Sequence, residues 1–215
     1  EEGDLINIPT GMFRGFENIG TDYGMIMAVL GGNDAGGGVD WAPQVIEEAS
    51  DHGLVLGDNG VLYDTRSGQQ LPESVVPMPL MPEAQASSLI EPSSFEVASR
   101  FVARYWDMVA AADRQPALVL GEEGMLTDKP GFTIEMLTHR SACEDTFVSH
   151  RHDILMTMRG HWKIRWSEGE EILAPGDTCA VIPGLEYALM PSMSGEASLF
   201  RVRNTDDPAG ATHWL

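Results

Sequence analysis

Residues 147–166 read FVSHRHDILMTMRGHWKIRW, and the two imidazoles at His150 and His152 are the side chains best suited to chemistry. On an extended chain, positions i and i+2 project to the same side. A His-x-His pair on a strand therefore offers two nitrogen ligands to one first-row metal ion. Two ligands alone hold a metal poorly, so another strand must supply a third. The same parity carries Ile154, Met156, Met158, Trp162, Ile164 and Trp166. The histidines then share an inward apolar face, with Met156, Met158 and Trp162 as the wall of a pocket around them. The opposite face holds Arg151, Asp153, Leu155, Thr157, Arg159, His161, Lys163 and Arg165. That parity turns Asp153 to solvent unless a bulge intervenes. Two roles stay open for the pair: binding a metal, or hydrogen-bonding a ligand and filling the interior.

Short strands must position these side chains. From Gly131 onward, FTIEML, TFVSHRHDILMTM, HWKIRW, EEILA, DTCAVI and EASLFRVRN are separated by turn residues such as SEGE, PGD, PGL and SMSG. Strands of this length and spacing predict an antiparallel sandwich or barrel. Residues 3–37 read as further short strands, DLINI and GMIMAVL among them, closed by the loop GGNDAGGG. Between the two β pieces, DWAPQVIEEASDHG predicts a helix with Asp40 as N-cap, Pro43 in the first turn and Gly53 at the C-terminal end. Residues 54–92 read as a long connector rich in Pro, Gly, Ser and Asp. A second helix is expected over 93–111, where Ser93 and Glu96 fit a capping box. Phe95, Ala98, Phe101, Val102, Tyr105, Trp106 and Val109 make its apolar stripe, which reads as core.

Composition narrows the function classes. The 215 residues carry 43% apolar and 21% charged side chains, and 33 acidic against 13 basic residues give a net charge of −20. That balance argues against a general nucleic-acid surface or an anionic-membrane patch, both of which need clustered Lys and Arg. Only Cys143 and Cys179 occur, with no C-x-x-C pair, so a reducing compartment and a cytoplasmic location are expected. No apolar run approaches the roughly 18 residues that span a bilayer. Of the remaining histidines, His52 is expected exposed near a helix end and His161 solvated. His139 falls near the FTIEML strand and His213 near the end of the sequence. No nucleophile elbow, P-loop, dinucleotide fingerprint or H-E-x-x-H motif is present.

Three motifs carry a family resemblance. Gly3, Pro9, Gly11, Arg14 and Asn18 are spaced G-x5-P-x-G-x2-R-x3-N. This resembles the second motif of the cupin superfamily, with Arg14 where the metal-binding His would stand. PGDTCAVIPGLEYAL resembles the common form of the same motif, with Tyr187 in the position of that His. Upstream, His150-Arg-His152 followed by Gly160 resembles the first motif, G-x5-H-x-H-x3,4-E-x6-G. The leading Gly is absent, and the stretch from His150 to Gly160 is about three residues short. Counting back from Gly160 puts Asp153 in the Glu slot; counting forward from the histidines puts Met156 there.

The resemblance implies a mainly β fold, a cupin-type antiparallel β-barrel (double-stranded β-helix or jelly roll) with a partly helical connector. Residues 1–37 would be the second half of a first module. Residues 38–130 would form the connector, with helices near 41–52 and 93–111, and 131–215 the barrel. The chain is then expected to be the C-terminal portion of a longer bicupin, or else residues 1–37 add strands to a single barrel. The resemblance further implies a divalent transition metal (Fe, Mn, Ni or Zn) on His150 and His152, with Tyr187 completing or adjoining the shell. A metal-dependent, dioxygenase-like enzyme acting on a small organic acid or aromatic compound would follow, or a lyase or isomerase sharing the site. The absent Glu, the Tyr-for-His change and Arg14 fit an alternative, a non-catalytic small-molecule-binding bicupin with degenerate metal sites. Arg14, a cation in the metal slot, would make the first module structural or anion-binding. Expected partners are a small-molecule ligand and a second barrel, in a homodimer or within the chain, with no nucleic acid and no membrane.

Overall fold

The computed structural model describes residues 1–9, 11–30, 40–128, 131–141, 146–148, 150–192 and 195–205. Along the chain run β1 (Leu5–Ile6), α1 (Pro43–Asp51), β2 (Leu54–Leu56), β3 (Leu62–Asp64), α2 (Glu83–Ala86), α3 (Ser94–Phe101), β4 (Val102–Ala103) and α4 (Tyr105–Ala111). They are followed by β5 (Ala117–Gly121), β6 (Leu126–Thr127), β7 (Phe132–Thr138), β8 (Thr146–Val148) and β9 (Asp153–Arg159). The last five are β10 (Trp162–Trp166), β11 (Gly169–Leu173), β12 (Thr178–Val181), β13 (Glu186–Pro191) and β14 (Ser198–Asn204). The fold is mainly β. Contacts divide the chain into two compact units, one of Glu1–Thr10, Ala28–Ala35 and Pro92–Leu215, the other of Gly11–Met27 and Gly36–Glu91.

The second unit has little core of its own; among its described residues Ala42 is the one buried apolar side chain. Helix α1 opens on Pro43 with Ala42, not Asp40, at the N-cap, and no side chain caps it. Proline's fixed φ and missing N–H suit that first turn without help from a cap. Gly53 follows the helix at φ +78°, and a Cβ there would meet the Arg66 side chain at 2.6 Å. The expected connector contains a hairpin of β2 and β3. Residues 11–27 form no strand, and Arg14 is exposed, with Ile19 and Tyr23 at 92% and 88%. The strand expected over GMIMAVL is absent from both units: Met25, Ile26 and Leu30 are exposed and carry no ladder. A strand needs a paired neighbour to satisfy its backbone, and among the described residues only Leu5–Ile6 of the N-terminal segment has one.

The first unit is a two-sheet sandwich with a helical layer. One sheet has six strands in the order β12-β9-β14-β7-β5-β6, the other four in the order β11-β10-β13-β8. The pairs are antiparallel except β5 with β6. The sandwich therefore begins at Ala117, ahead of the expected start at residue 131. Two apolar clusters use opposite faces of the six-stranded sheet. Leu137, Leu155, Leu199 and Val181 meet Trp162, Ile164, Tyr187 and Leu189 of the other sheet. On the other side, Ile134, Met136, Phe200 and Val202 pack under Tyr105 and Met108 of α4.

The helix expected over 93–111 is two helices. Ser93 caps α3 as read, its hydroxyl accepting from the Glu96 N–H while Glu96 accepts from the Ser93 N–H. Val102 then turns extended (φ −118°, ψ 118°) and pairs with Ile6, and α4 begins three residues later, at Tyr105. A β-branched residue with a strand to pair with ends the helix despite its periodic stripe. The stripe splits accordingly: Phe101 and Tyr105 are buried, while Phe95 is 80% exposed. Gly3 sits at φ +86° against Tyr105, whose ring a Cβ would meet at 2.5 Å.

Candidate ligand site

Strand β14 reads SLFRVRN, and its alternation aims two arginines inward. Phe200 and Val202 face α4, so Leu199, Arg201 and Arg203 face the space between the sheets. Each arginine meets an acid across the ladder. Arg203 stands opposite Asp153 on β9 and Thr133 is its other cross-strand neighbour through β7; Arg201 stands opposite Leu155 and Glu135. Arg203 donates from Nε to Asp153 Oδ1 at 2.9 Å and from Nη2 to Oδ2 at 3.2 Å. Arg201 donates from Nε to Glu135 Oε2 at 2.8 Å and forms an ion pair with it through Nη2 at 2.6 Å, its guanidinium 4.4 Å above the Phe147 ring.

The facing sheet completes the cluster. Tyr187 on β13, 1% exposed, donates its hydroxyl to Asp153 Oδ2 at 2.8 Å. The Phe147 ring on β8 lies 5.7 Å from that of Tyr187. Burial first, and then the charge of Asp153, push the Tyr187 phenol up to about 12. It is therefore a proton donor at neutral pH. Asp153 is fully buried, which a carboxylate tolerates only when paired and hydrogen-bonded. Its contact with Arg203 holds that guanidinium above the usual arginine range.

Asp153 thus lies on the inner face and not in solvent, and the parity read from FVSHRHDILMTMRGHWKIRW is reversed over β9. Asp153, Leu155 and Thr157 point between the sheets; Ile154, Met156 and Met158 share the other face, with Met158 packed against the α4 cluster. Two facts explain the reversal. Strands β9 and β10 belong to different sheets, so the chain crosses the sandwich at Gly160, and residues of one parity change sides there. Gly160 permits it with φ +67°; a Cβ would lie 2.7 Å from the Glu196 carbonyl oxygen. The helical layer also makes the outer face of β9 apolar, so hydrophobicity did not mark the interior.

The structure does not gather the residues expected at a metal site. His150 and His152 precede β9, outside any strand, and both are exposed. Trp162 is buried in the sandwich core, whereas Met156 and Met158 lie on the opposite face of their sheet. Arg14 belongs to the other unit. Of the remaining histidines, His52 and His161 are exposed, and the half-buried His139 lies in the turn after β7. Cys143, Glu144 and His213 lie outside the described residues. Cys179 is half-buried on β12, and burial pushes its thiol up. Sequence reasoning missed Arg201, Arg203 and Glu135. The available signal was two arginines at i and i+2 in a strand flanked by apolar residues on the other parity.

The donor set does not fit a metal at this slot. The Tyr187 hydroxyl donates to Asp153, and both oxygens of Asp153 are engaged by Arg203 and Tyr187. Among the described residues, no group of three or more His, Cys, Asp or Glu side chains is arranged to hold an ion. A guanidinium is the cation that these groups hold.

Above the cluster, the end of the sandwich opens into a cleft of about 610 Å³ lined by Thr133, Val148, His150, Arg151, Arg203 and Asn204. A second cleft, about 510 Å³, lies against α4 near Tyr105 and Trp106. The Arg159 guanidinium stands 4.5 and 4.9 Å from the Tyr105 and Trp106 ring centroids.

The fold and this polar end define a β-sandwich whose motifs resemble those of cupins. No family model matches the chain, and no curated protein matches it. Among solved structures it is similar to a cupin-2 domain containing protein from Shewanella frigidimarina, with 14% identity, 48% of this chain and 94% of that one covered, and a TM-score of 0.36. The cupin domain of Schizosaccharomyces pombe Cnp3 shows 12% identity over 42% of this chain and 60% of its own, at 0.35. The Fe(II) form of HppE shows 17% over 34% and 43%, at 0.30. These likenesses concern fold alone. Among the described residues, no helix is long and apolar enough to cross a membrane.

Proposed function

We propose that this chain is a small-molecule-binding module of the cupin type that works without a metal, its ligand entering the cleft at the open end of the sandwich. The observation that carries this reading is the fully buried Asp153 carboxylate, held by both Arg203 donors and by the Tyr187 hydroxyl. By the motif comparison, Tyr187 stands in the slot of a metal-binding His and Asp153 in one reading of the Glu slot. A guanidinium and a protonated phenol fill the place where an ion would need free lone pairs. Support also comes from the strand-free, exposed placement of both histidines.

The test is elemental analysis of protein purified without chelators, with a His150→Ala/His152→Ala variant alongside. This reading expects transition metal far below one ion per chain and no difference between the two proteins. Near-stoichiometric metal that the variant loses would replace it with the metal-dependent, dioxygenase-like enzyme that the motifs imply. A paired barrel, in a homodimer or within one longer chain, is compatible with either outcome.

A further inference from the structure

We infer that the ligand of this cleft is a small carboxylate, received by Arg203 with His150 beside it; this rests on the binding reading above and specifies its chemistry. Arg203 uses only two of its donors on Asp153, and its third nitrogen, Nη1, has no partner among the described residues. The side chain is 33% exposed and lines the cleft, so one edge of a fixed guanidinium faces solvent while Asp153 orients the other. Such a fork is matched to a carboxylate and is held in place before the ligand arrives.

Neighbouring groups support the same class. His150, Arg151, Asn204 and Thr133 line the cleft with hydrogen-bonding side chains, and Val148 supplies an apolar wall. None of the six lining side chains named above is acidic, although the chain as a whole carries −20. An anion would therefore be held by contact and not drawn in by the field of the molecule. One residue pair deeper, about 7 Å along the strand, Arg201 has a side chain only 5% exposed and a buried Nη1 with no hydrogen-bond partner among the described residues. Unpaired buried donors are rare. Arg201 is not among the described residues that line the cleft, so it adds positive charge beneath the site and not a direct contact.

The test uses the full chain, with backbone amide shifts and calorimetry as readouts and benzoate, acetate and inorganic phosphate as probes. Benzamide serves as the neutral isostere of benzoate. Benzoate is expected to shift the amides of Thr133, Arg203 and Asn204 saturably, at least tenfold more tightly than benzamide and more tightly than phosphate. The Asp153→Asn/Arg203→Gln variant keeps hydrogen-bonding partners while removing the guanidinium, and should lose benzoate affinity by at least about tenfold. The exposed His150→Gln should lose about threefold and fold normally.

Equal binding of benzoate and benzamide at these amides would overturn the carboxylate inference and leave a neutral-ligand site. Tighter phosphate binding would overturn it in favour of another oxyanion. Absence of any cleft shift at about 10 mM probe, ten times the concentration that corresponds to about −4 kcal/mol of binding, would also sink it. Failure of the metal-free reading is registered separately by the elemental analysis.

Discussion

The interior of the sandwich has two ends of opposite character, and strands β7, β9, β13 and β14 contribute to both. At one, Asp153, Arg203, Tyr187, Arg201 and Glu135 form paired charges and hydrogen bonds. At the other, Leu155, Leu199, Leu137, Trp162 and Leu189 make an apolar core in which each side chain is fully buried. The two ends differ in what they demand. An apolar end needs volume and shape, and truncation costs it the lost contacts and a cavity. A charged end needs every partner, because removing one leaves another stranded out of water. The polar end is next to the cleft, so its composition bears on ligand chemistry as well as on stability.

The largest effect is expected at the charged end. Asp153→Ala should cost about 3–5 kcal/mol, read as the change in unfolding free energy by denaturant titration. The double variant Asp153→Asn/Arg203→Gln should recover much of that loss. A loss under about 1 kcal/mol for Asp153→Ala would show that the pair is not held as described. Leu199→Ala, at the apolar end, should cost about 2–5 kcal/mol while leaving benzoate affinity unchanged. Coupled loss of stability and affinity there would erase the distinction between the ends.

Tyr187→Phe should cost about 1.5–3 kcal/mol, the range for a hydrogen bond to a charged group. It also predicts a pH signature. The folded phenol is raised to about 12 from about 10, so the folded state keeps a proton that the unfolded state releases. That contribution is fully present below pH about 10 and is lost as pH rises through about 12. Tyrosinate absorbance and unfolding curves should show this decline in the wild type and its absence in Tyr187→Phe. The smallest effect belongs to His152→Gln, exposed and outside any strand, which should leave the melting temperature unchanged.

Much of the sandwich could be read from alternation and turn chemistry. FTIEML, HWKIRW, EEILA and DTCAVI each correspond to a strand, and the capping box at Ser93 and Glu96 is present. Tyr187 was singled out by its motif slot and is buried at the centre of the cluster. The interior side of β9 was not legible, because a sheet covered on both faces is apolar on both and alternation then has no sign. The histidines read as inward only if the strand runs back through them, and it starts one residue after His152, at Asp153. Arg201 and Arg203 are not legible as interior residues because arginines on a strand ordinarily mark the solvent face. Here their acids sit directly across the ladder, a pairing that only the register reveals. The N-terminal motif was legible as spacing, but strands there need partners that the described residues do not provide.

The most direct measurement of the central claim is crystallographic, with diffraction recorded at the absorption edges of iron, manganese, nickel and zinc on crystals grown without chelator. No anomalous peak is expected between Tyr187, Asp153 and His150, and guanidinium density for Arg203 should bridge both oxygens of Asp153. A peak coordinated by His150 and His152, with Arg203 turned away from Asp153, would contradict it.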